Sequence, residues 1–255
     1  MRTWLITGAA SGIGRATSVV LARAGASVVC ADVDEDGASA TSREISASGG
    51  AARHAHVDVT RADELETLVD SVVSASGALD IMCNVAGIMH NGAVTETSEA
   101  DLDRVLAVNF KGVLFGCQAA ARVMTRQRSG SIVNMSSAIV DIPAPNTLCY
   151  AVSKAAIVTL TTTLAMEVGD CGVRVNAVAP GFISTAITER HFRRPDGSVD
   201  EVARDATFAR MGAQAPLGRI GEPADVAYTV LYLASDAASF MTGQILRPNG
   251  GFAMR

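Results

Sequence analysis

The sequence predicts an α/β fold: one domain with a doubly wound, parallel sheet of seven strands that carries helices on both faces. Short apolar, β-branched runs alternate along the chain with segments of helical spacing, which is typical of such folds. Several runs, such as SVVCA from residue 27 and LDIMC from residue 79, are apolar at nearly every position, as expected of strands that are covered on both faces. Because no repeat or linker divides the chain, residues 1–255 are expected to form a single domain.

The predicted strands are, in chain order, Thr3–Thr7, Ser27–Ala31, Arg53–Val57, Leu79–Cys83, Ser131–Met135, Val173–Val178 and Gln244–Arg247. Apolar residues recur at helical spacing between them, for example at Leu65, Leu68 and Val72, and predict the intervening helices. Two of these helices, at about 99–125 and 150–168, are apolar on more than one face. The segment at about 185–215 is charged and irregular instead, and its place after the sixth strand predicts a lid over the substrate.

The composition argues against several classes of protein. Of the 255 residues, 49% are hydrophobic and 18% are charged, which is typical of a globular chain rather than a disordered one. The 21 basic and 26 acidic residues give a formal charge of −5, whereas general nucleic-acid binders carry a basic surplus. A nucleic-acid partner is therefore not expected.

The sequence also predicts neither a membrane span nor export. It contains no uninterrupted run of about 18 apolar residues, the length that a spanning helix needs. The apolar start of the chain breaks at Gly8 and is too short for a signal peptide. The five cysteines are scattered without a CxxC pair, which suggests reduced thiols. A cytoplasmic location is expected.

A glycine-rich turn follows the first strand and predicts a dinucleotide site. The run Thr7-Gly8-Ala9-Ala10-Ser11-Gly12-Ile13-Gly14 precedes a helix predicted over 15–24. Glycine at the first position permits a tight turn, at the second it lets a pyrophosphate approach the backbone, and at the third it allows close helix–strand packing. The N-terminus of the helix then offers free N–H groups to phosphates.

An acidic residue, Asp32, comes directly after the second strand. Its carboxylate can accept hydrogen bonds from the ribose hydroxyls of NAD. In NADP the 2′-phosphate would bring a second negative charge to the same place. Neither Ser11 in the turn nor Val33 after the strand supplies a compensating basic residue. The sequence therefore predicts NAD as the cofactor.

Tyr150 and Lys154 are four residues apart on a predicted helix and therefore share one face. A phenol has an ordinary pKa near 10, and a lysine ammonium beside it is expected to lower that value. Such a tyrosine can remove a proton from an alcohol or return one to a carbonyl oxygen. Ser137 follows the fifth strand and can hold that oxygen by a hydrogen bond.

Together these motifs resemble the short-chain dehydrogenase/reductase family. The turn has the spacing G-x-x-x-G-x-G, and Tyr150 and Lys154 follow Ser137 at the family's distances. Further matching elements are Asp58-Val59, Asn84-Val85-Ala86-Gly87, Asn109 and Pro180-Gly181 with Thr185. The resemblance covers nearly the whole chain and implies a Rossmann fold.

The resemblance also implies roles for individual residues. The catalytic set would be Asn109, Ser137, Tyr150 and Lys154, with Lys154 also binding the nicotinamide ribose. The cofactor site would comprise Gly8, Ser11, Gly12, Ile13, Gly14, Asp32, Asp58, Val59, Asn84, Ala86, Gly87, Tyr150, Lys154, Pro180, Gly181, Ile183 and Thr185. No metal site is expected, because His54 and His56 lack a third ligand nearby.

The leading hypothesis is an NAD(H)-dependent oxidoreductase that interconverts a small, largely apolar secondary alcohol and its ketone, with Tyr150 as general acid and base. The resemblance also implies a homotetramer. The alternative is a 3-oxoacyl-(acyl-carrier-protein) reductase that uses NADPH. The run from Gly218 to Pro223 and the residue Arg128 are shared with that group, whereas Ser11 and Cys171 stand where those reductases carry basic residues.

Two other classes fit the sequence less well. A methyltransferase would share the glycine turn but would not need Ser137, Tyr150 and Lys154, and a catalytically silent scaffold would be expected to lose one of them. The tail from Arg247 to Gly251 departs from the family's commoner Val-Asp-Gly-Gly pattern.

Overall fold

Seven parallel strands form a single sheet in the computed structural model of the chain, which describes residues 2–189, 192, 194 and 196–254. The strands are β1 (Thr3–Thr7), β2 (Ser27–Asp32), β3 (Ala51–His56), β4 (Ile81–Asn84), β5 (Gly130–Met135), β6 (Val173–Val178) and β7 (Ile245–Leu246). Their order across the sheet is β3-β2-β1-β4-β5-β6-β7. The predicted fold class is therefore confirmed, with strand boundaries shifted by about two residues at most.

Helices cover both faces of the sheet. They are α1 (Gly12–Arg23), α2 (Glu35–Ala47), α3 (Ala62–Ser76), α4 (Glu99–Leu106), α5 (Gly112–Gln127), α6 (Leu148–Val168), α7 (Ala186–Glu189), α8 (Glu201–Gln214) and α9 (Pro223–Ala234). Leu5 belongs to the core cluster shared with α3, α5 and α6, whereas Ile6 belongs to the cluster shared with α1, α2 and α9. Successive residues of a strand point to opposite faces, so both faces of β1 are buried.

The order of the strands creates a crevice at one edge of the sheet. β1 lies between β2 and β4, and connections that leave such a point in opposite directions open a ligand-binding crevice. Thr7, the last residue of β1, is in register with Ala31 of β2 and Asn84 of β4. The glycine turn, Asp32 and the turn after β4 are consequently neighbours.

The helix predicted at about 99–125 contains a feature that the apolar pattern does not show. Between α4 and α5 the chain forms a wider π-helical turn at Ala107–Lys111. Such turns are rare and often occur at functional sites. Asn109 lies in this turn and is fully buried.

The segment predicted to form a lid contains α7 and α8. Phe208 of α8 packs edge-on against Phe182 and Phe192, with ring centroids 5.7 Å and 6.1 Å away. These contacts tie α8 to the edge of the sheet that follows β6. Within the predicted segment, Arg190, His191, Arg193 and Pro195 lie outside the described residues. The action of this segment as a lid stays a prediction.

The length and apolar composition of α6 alone would allow it to cross a membrane. In the fold, however, Ile157, Thr161 and Ala165 of this helix are buried within the protein. The same helix carries the buried Lys154. Its apolar character is therefore weak evidence for a membrane span.

Candidate active site

A cavity of about 350 Å³ opens at the carboxyl edge of the sheet, at the point where the winding direction changes. Most of the predicted site residues line it: Gly8, Ser11, Gly12, Ile13, Gly14, Asp32, Asp58, Val59, Ala86, Gly87, Ser137, Tyr150, Lys154, Pro180, Gly181, Ile183 and Thr185. Asn84 and Asn109 do not line it. The fold thus gathers segments from the first 14 residues to beyond residue 180 around one space.

The glycine turn has the geometry that its spacing predicts. Gly8 and Gly12 have positive φ angles of 73° and 52°, a region that other residues adopt at a cost. A Cβ atom at Gly14 would collide with the carbonyl oxygen of Gly8. At Gly12 it would meet only Thr185, at 3.4 Å, across the cavity. The turn therefore leaves open space directly before the N-terminus of α1, where phosphates bind.

The carboxylate of Asp32 is fixed by the backbone around it. Its Oδ2 accepts a hydrogen bond from the amide of Ala10 at 2.9 Å, and its Oδ1 accepts one from the amide of Asp34 at 3.0 Å. A carboxylate has about four lone-pair sites, so acceptor capacity remains for ribose hydroxyls. Arg15 donates to Glu44 Oε2 at 2.6 Å and 3.0 Å. The nearest basic residue of the turn is thus already engaged in an ion pair.

The turn after β4 is joined to β1 by hydrogen bonds. Thr7 Oγ1 accepts from the amides of Val85 and Ala86 at 3.2 Å and 3.4 Å. Asn84 itself points into the core, where its Nδ2 donates to Asn134 Oδ1 at 2.9 Å. Because its hydrogen bond lies in the core, the side chain of Asn84 does not line the cavity. The assignment of Asn84 to the cofactor site stays a prediction.

The segment after β6 closes the opposite side of the cavity. The amide of Thr185 donates to Thr188 Oγ1 at 3.0 Å, and that hydroxyl donates to the carbonyl of Ile183 at 2.9 Å. These bonds hold residues 183–188 in a compact turn, in which the side chain of Thr185 faces Gly12. The family element predicted to meet the nicotinamide carboxamide therefore lies at the cavity wall.

Ser137, Tyr150 and Lys154 line the same cavity. Lys154 is 3% exposed, and its Nζ donates to the carbonyl of Met135 at 2.8 Å. The same Nζ lies 5.5 Å from the centroid of the Tyr150 ring. Lys154 is anchored a second time, because its carbonyl accepts from Ser136 Oγ at 2.9 Å.

Burial dominates the electrostatics of this group. It raises the pKa of Tyr150, and the hydrogen bond with Ser137 lowers that pKa by a smaller amount. Burial also lowers the pKa of Lys154 to about 8. The expectation that Lys154 lowers the pKa of Tyr150 is therefore not met, because burial raises that pKa and the opposing, smaller effect comes from the hydrogen bond with Ser137.

Asn109 does not line the cavity, but its side chain forms hydrogen bonds with two segments that surround it. Its Oδ1 accepts from the amide of Ile88 at 2.8 Å, and its Nδ2 donates to the carbonyl of Ile88 at 2.8 Å and to Ser153 Oγ at 3.0 Å. This arrangement links the loop after β4 to α6, which carries Tyr150. A Cβ at Gly87 would lie 3.3 Å from Asn109 Oδ1 and 3.5 Å from Lys154 Nζ, so the three residues are close neighbours.

Sequence reasoning missed several apolar residues of the cavity wall. They are Val33, Val57, Val85, Ile88, Val108, Met135, Ala186 and Ile187, together with the polar Ser136 and Thr188. Most of them flank a predicted site residue by one or two positions. Their position next to predicted site residues was the only indication that the sequence offered of a place in the cavity wall. Which of these neighbours face the cavity depends on the tertiary fold.

The buried lysine has a consequence for stability. Between pH 8 and pH 10.5 the unfolded chain binds a proton at Lys154 more strongly than the folded chain does, so stability from this residue rises with pH. We expect wild type to gain up to about 3 kcal/mol over Lys154→Met in this interval, since tenfold in a proton affinity is about 1.4 kcal/mol. Urea unfolding at several pH values measures this difference.

Lys111 provides the matched control for that prediction, because it is the other lysine of the chain and is exposed. The stability of Lys111→Met should follow that of wild type across the same interval. An unchanged difference between wild type and Lys154→Met from pH 8 to pH 10.5 would contradict the burial account.

Sequence comparisons find relatives along nearly the whole chain. The protein family described as enoyl-(acyl-carrier-protein) reductase matches residues 8–253. A 3-oxoacyl-(acyl-carrier-protein) reductase of Thermotoga maritima is 39% identical over 250 residues, which are 98% of this chain and 97% of that protein.

Solved structures agree with the sequence relatives. A short-chain type dehydrogenase/reductase from Mycobacterium marinum has a TM-score of 0.89 at 33% identity and covers 100% of this chain and 96% of its own. An aldohexose dehydrogenase of Thermoplasma acidophilum also has a TM-score of 0.89, at 31% identity, with coverage of 100% and 94%.

Proposed function

The chain belongs to the short-chain dehydrogenase/reductase family, and on that premise we propose that it interconverts a 3-oxoacyl thioester and the corresponding 3-hydroxyacyl thioester with NAD(H). It is an oxidoreductase of the class that acts on CH–OH donors. The observation that carries the substrate class is the 39% identity with a 3-oxoacyl-(acyl-carrier-protein) reductase over nearly the full length of both chains. The substrate assigned here is therefore the one of the alternative hypothesis, whereas the cofactor is the one that Asp32 favours.

The residues at the cavity fit a dinucleotide. Gly8, Gly12 and Gly14 leave the space before α1 free of side chains, and Asp32 has acceptor capacity left for a ribose. Tyr150 and Lys154 would adjoin the nicotinamide end of the cofactor, and Thr185 would adjoin its carboxamide. When bound, the cofactor supplies or accepts the hydride.

Side chains of the protein supply the proton for the ketone oxygen and orient the substrate carbonyl. Burial raises the pKa of Tyr150, so its phenol is protonated at neutral pH and can donate that proton to a ketone oxygen. Ser137 donates a hydrogen bond to the same oxygen and holds the carbonyl carbon in place. As the phenolate forms, the Ser137 hydroxyl and the Lys154 ammonium stabilise it. The reverse sequence oxidises the alcohol.

A second cavity has apolar walls that would suit an acyl chain. It has a volume of about 240 Å³ and shares the lining residue Ile183 with the first cavity. Its lining comprises the apolar Phe182, Met211, Leu217 and Phe252 and the polar Arg219, Asp225 and Asn249. Burial of a hydrocarbon chain there would contribute about 0.8 kcal/mol per CH₂ group. The proposed lid helix α8 contributes Met211 to this wall.

A small secondary alcohol without a thioester is the second candidate. The structural similarity to an aldohexose dehydrogenase favours it, as does Cys171 in place of the basic residue that carrier-dependent relatives are expected to have.

Oxidation of NADH in the presence of different ketones separates these candidates. Acetoacetyl-coenzyme A and cyclohexanone are tested as substrates for NADH oxidation. A hexose is tested in the opposite direction, as a substrate for NAD reduction. We expect kcat/KM for the thioester to exceed that for cyclohexanone by at least about tenfold, or about 1.4 kcal/mol. Turnover of cyclohexanone or the hexose without turnover of the thioester would favour the second candidate.

A homotetramer is expected in solution. The two segments that are apolar on more than one face, at about 99–125 and 150–168, support this expectation. Val113 is buried within the chain, whereas Val108, Phe115, Val158, Leu160 and Leu164 are only partly buried. Met166 on α6 and Phe240 before β7 are 88% and 102% exposed. Exposed apolar side chains of this kind are typical of interfaces.

Sedimentation equilibrium measures the assembly. We expect a mass of four chains of 26.3 kDa, and we expect Met166→Glu and Phe240→Glu each to lower the mass by placing a charge in exposed apolar surface. A wild-type monomer at micromolar concentration would refute the tetramer.

A further inference from the structure

Arg247, the residue directly after β7, forms a largely buried ion pair with Asp141. Its Nε donates to Asp141 Oδ2 at 2.6 Å, and its Nη2 donates to Oδ1 at 3.2 Å. The Asp141 side chain is 7% exposed, the lowest value for a carboxylate in any ion pair of the described residues. Nη1 of Arg247 also donates to the carbonyl of Ile245 at 2.8 Å. The guanidinium is thus fixed on its own strand and presents a two-pronged contact to Asp141.

Asp141 is part of the turn that carries Ser137. A short 3-10 helix, Ala138–Val140, separates the two residues. The amides of Asp141 and Ile142 donate to the carbonyl of Ala138 at 3.0 Å and 3.1 Å, and Ser137 Oγ accepts from the amide of Ile139 at 3.3 Å. A displacement of Asp141 is therefore transmitted to Ser137 through a compact, hydrogen-bonded unit.

Three chain segments meet in this region. The amide of Ala138 donates to the carbonyl of Pro180 at 2.9 Å, which ties the Ser137 turn to the segment after β6. The amides of Ala179 and Gly181 donate to the carbonyls of Leu246 and Pro248 at 2.7 Å and 3.1 Å, which ties that segment to the tail. The ion pair joins the Ser137 turn directly to the tail after β7. Each of the three segments is therefore connected to the other two, with Pro180–Gly181 between the Ser137 turn and the tail.

We propose that Arg247 is a positioning residue that, through Asp141, fixes the Ser137 turn against the Pro180–Gly181 segment and thereby sets where the substrate oxygen is held. Desolvation offsets much of the attraction in a buried ion pair, so such a pair contributes little net stability. Its two parallel hydrogen bonds do restrict geometry, and a misplacement of about 1 Å at a reacting group can cost about 10²-fold in rate. The role of Ser137 in this inference rests on the proposed function.

The test compares Arg247→Met, Arg247→Lys, Asp141→Asn and the double variant Asp141→Asn/Arg247→Met. We expect Arg247→Met to lower kcat for acetoacetyl-coenzyme A by about 10- to 100-fold, with dissociation constants for NADH within about threefold of wild type. Lysine cannot form the two-pronged contact, so Arg247→Lys should recover only part of the rate. Arg2→Met removes an exposed ion pair with Asp236 of 2.7 Å and should leave kcat unchanged.

The double variant distinguishes a loss of positioning from the effect that an unpaired buried charge has on kcat in the single variants. It should stay at least about tenfold slower than wild type, because the pair acts as a unit. A near-normal kcat in the double variant would overturn the proposal, since only the unpaired charge would then have been harmful.

Amide hydrogen exchange tests the positioning role independently of the proposed function, because it does not require turnover. The amides of Ala138, Asp141 and Ile142 should exchange faster in Arg247→Met than in Arg2→Met, whether or not any substrate is turned over. Unchanged exchange at these amides would overturn the positioning role even if the enzyme is active. Absence of turnover in wild type, with the expected exchange, would instead count against the proposed function alone.

Discussion

Replacement of Tyr150 by Phe is expected to lower kcat by about 10²- to 10⁴-fold while nucleotide binding is retained. The substitution removes only the hydroxyl, so the half-buried ring keeps its packing beside Lys154. Without the hydroxyl, the ketone oxygen loses its proton donor and keeps only the hydrogen bond from Ser137. Steady-state oxidation of NADH with acetoacetyl-coenzyme A, together with NADH fluorescence titration, measures both quantities.

The chain offers a matched control, because Tyr228 is 60% exposed and lies on α9, outside the cavity. Tyr228→Phe should turn over substrate at the wild-type rate. Lys154→Ala should differ from Tyr150→Phe, since it is expected to reduce both turnover and nucleotide affinity. Near-normal turnover by Tyr150→Phe would eliminate the proposed proton donor.

The second large effect is a preference for NAD(H) over NADP(H) of tens- to thousands-fold in kcat/KM, at about 1.4 kcal/mol for each factor of ten. Asp32 lies at the cavity wall with its carboxylate held by two backbone amides. A 2′-phosphate of about −1.5 to −2 charge would face it, and like charges a few ångströms apart are costly where solvent is partly excluded. The positive charge of Arg15 is already paired with Glu44.

Asp32→Asn removes the charge and keeps an oxygen acceptor. We expect it to reduce the ratio of the two kcat/KM values by at least about tenfold, chiefly by improving the use of NADPH. Asp103→Asn carries the same change at an exposed site on α4 and should leave the ratio unaltered. Equal or better use of NADPH by wild type would contradict the assignment of the cofactor and revive the NADPH-dependent alternative.

The local parts of the site could be predicted from the sequence, because spacing alone determines them. The positions of Gly8, Gly12 and Gly14 specify the turn, and the four-residue interval places Tyr150 and Lys154 on one face of α6. The alternation of strands and helices specifies the parallel sheet and hence the edge at which these segments meet.

The remaining features depend on tertiary contacts that sequence spacing does not reveal. Asn84 is drawn into the core because Asn134 on the neighbouring strand satisfies its side chain. The pKa shifts of Tyr150 and Lys154 follow from burial, whereas the sequence suggested attraction between their charges. Arg247 forms an ion pair with Asp141, which is 106 positions away in the sequence. The sequence showed only that the tail around Arg247 departs from the family pattern.

Transfer of deuterium from NADH labelled at its transferable position tests the central claim most directly. The protein is incubated with labelled NADH and acetoacetyl-coenzyme A, and the product is analysed by mass spectrometry. The account predicts a 3-hydroxybutyryl thioester that carries deuterium on the former ketone carbon, and no such product from Tyr150→Phe on the same timescale. An absence of labelled product from the wild-type protein would contradict it.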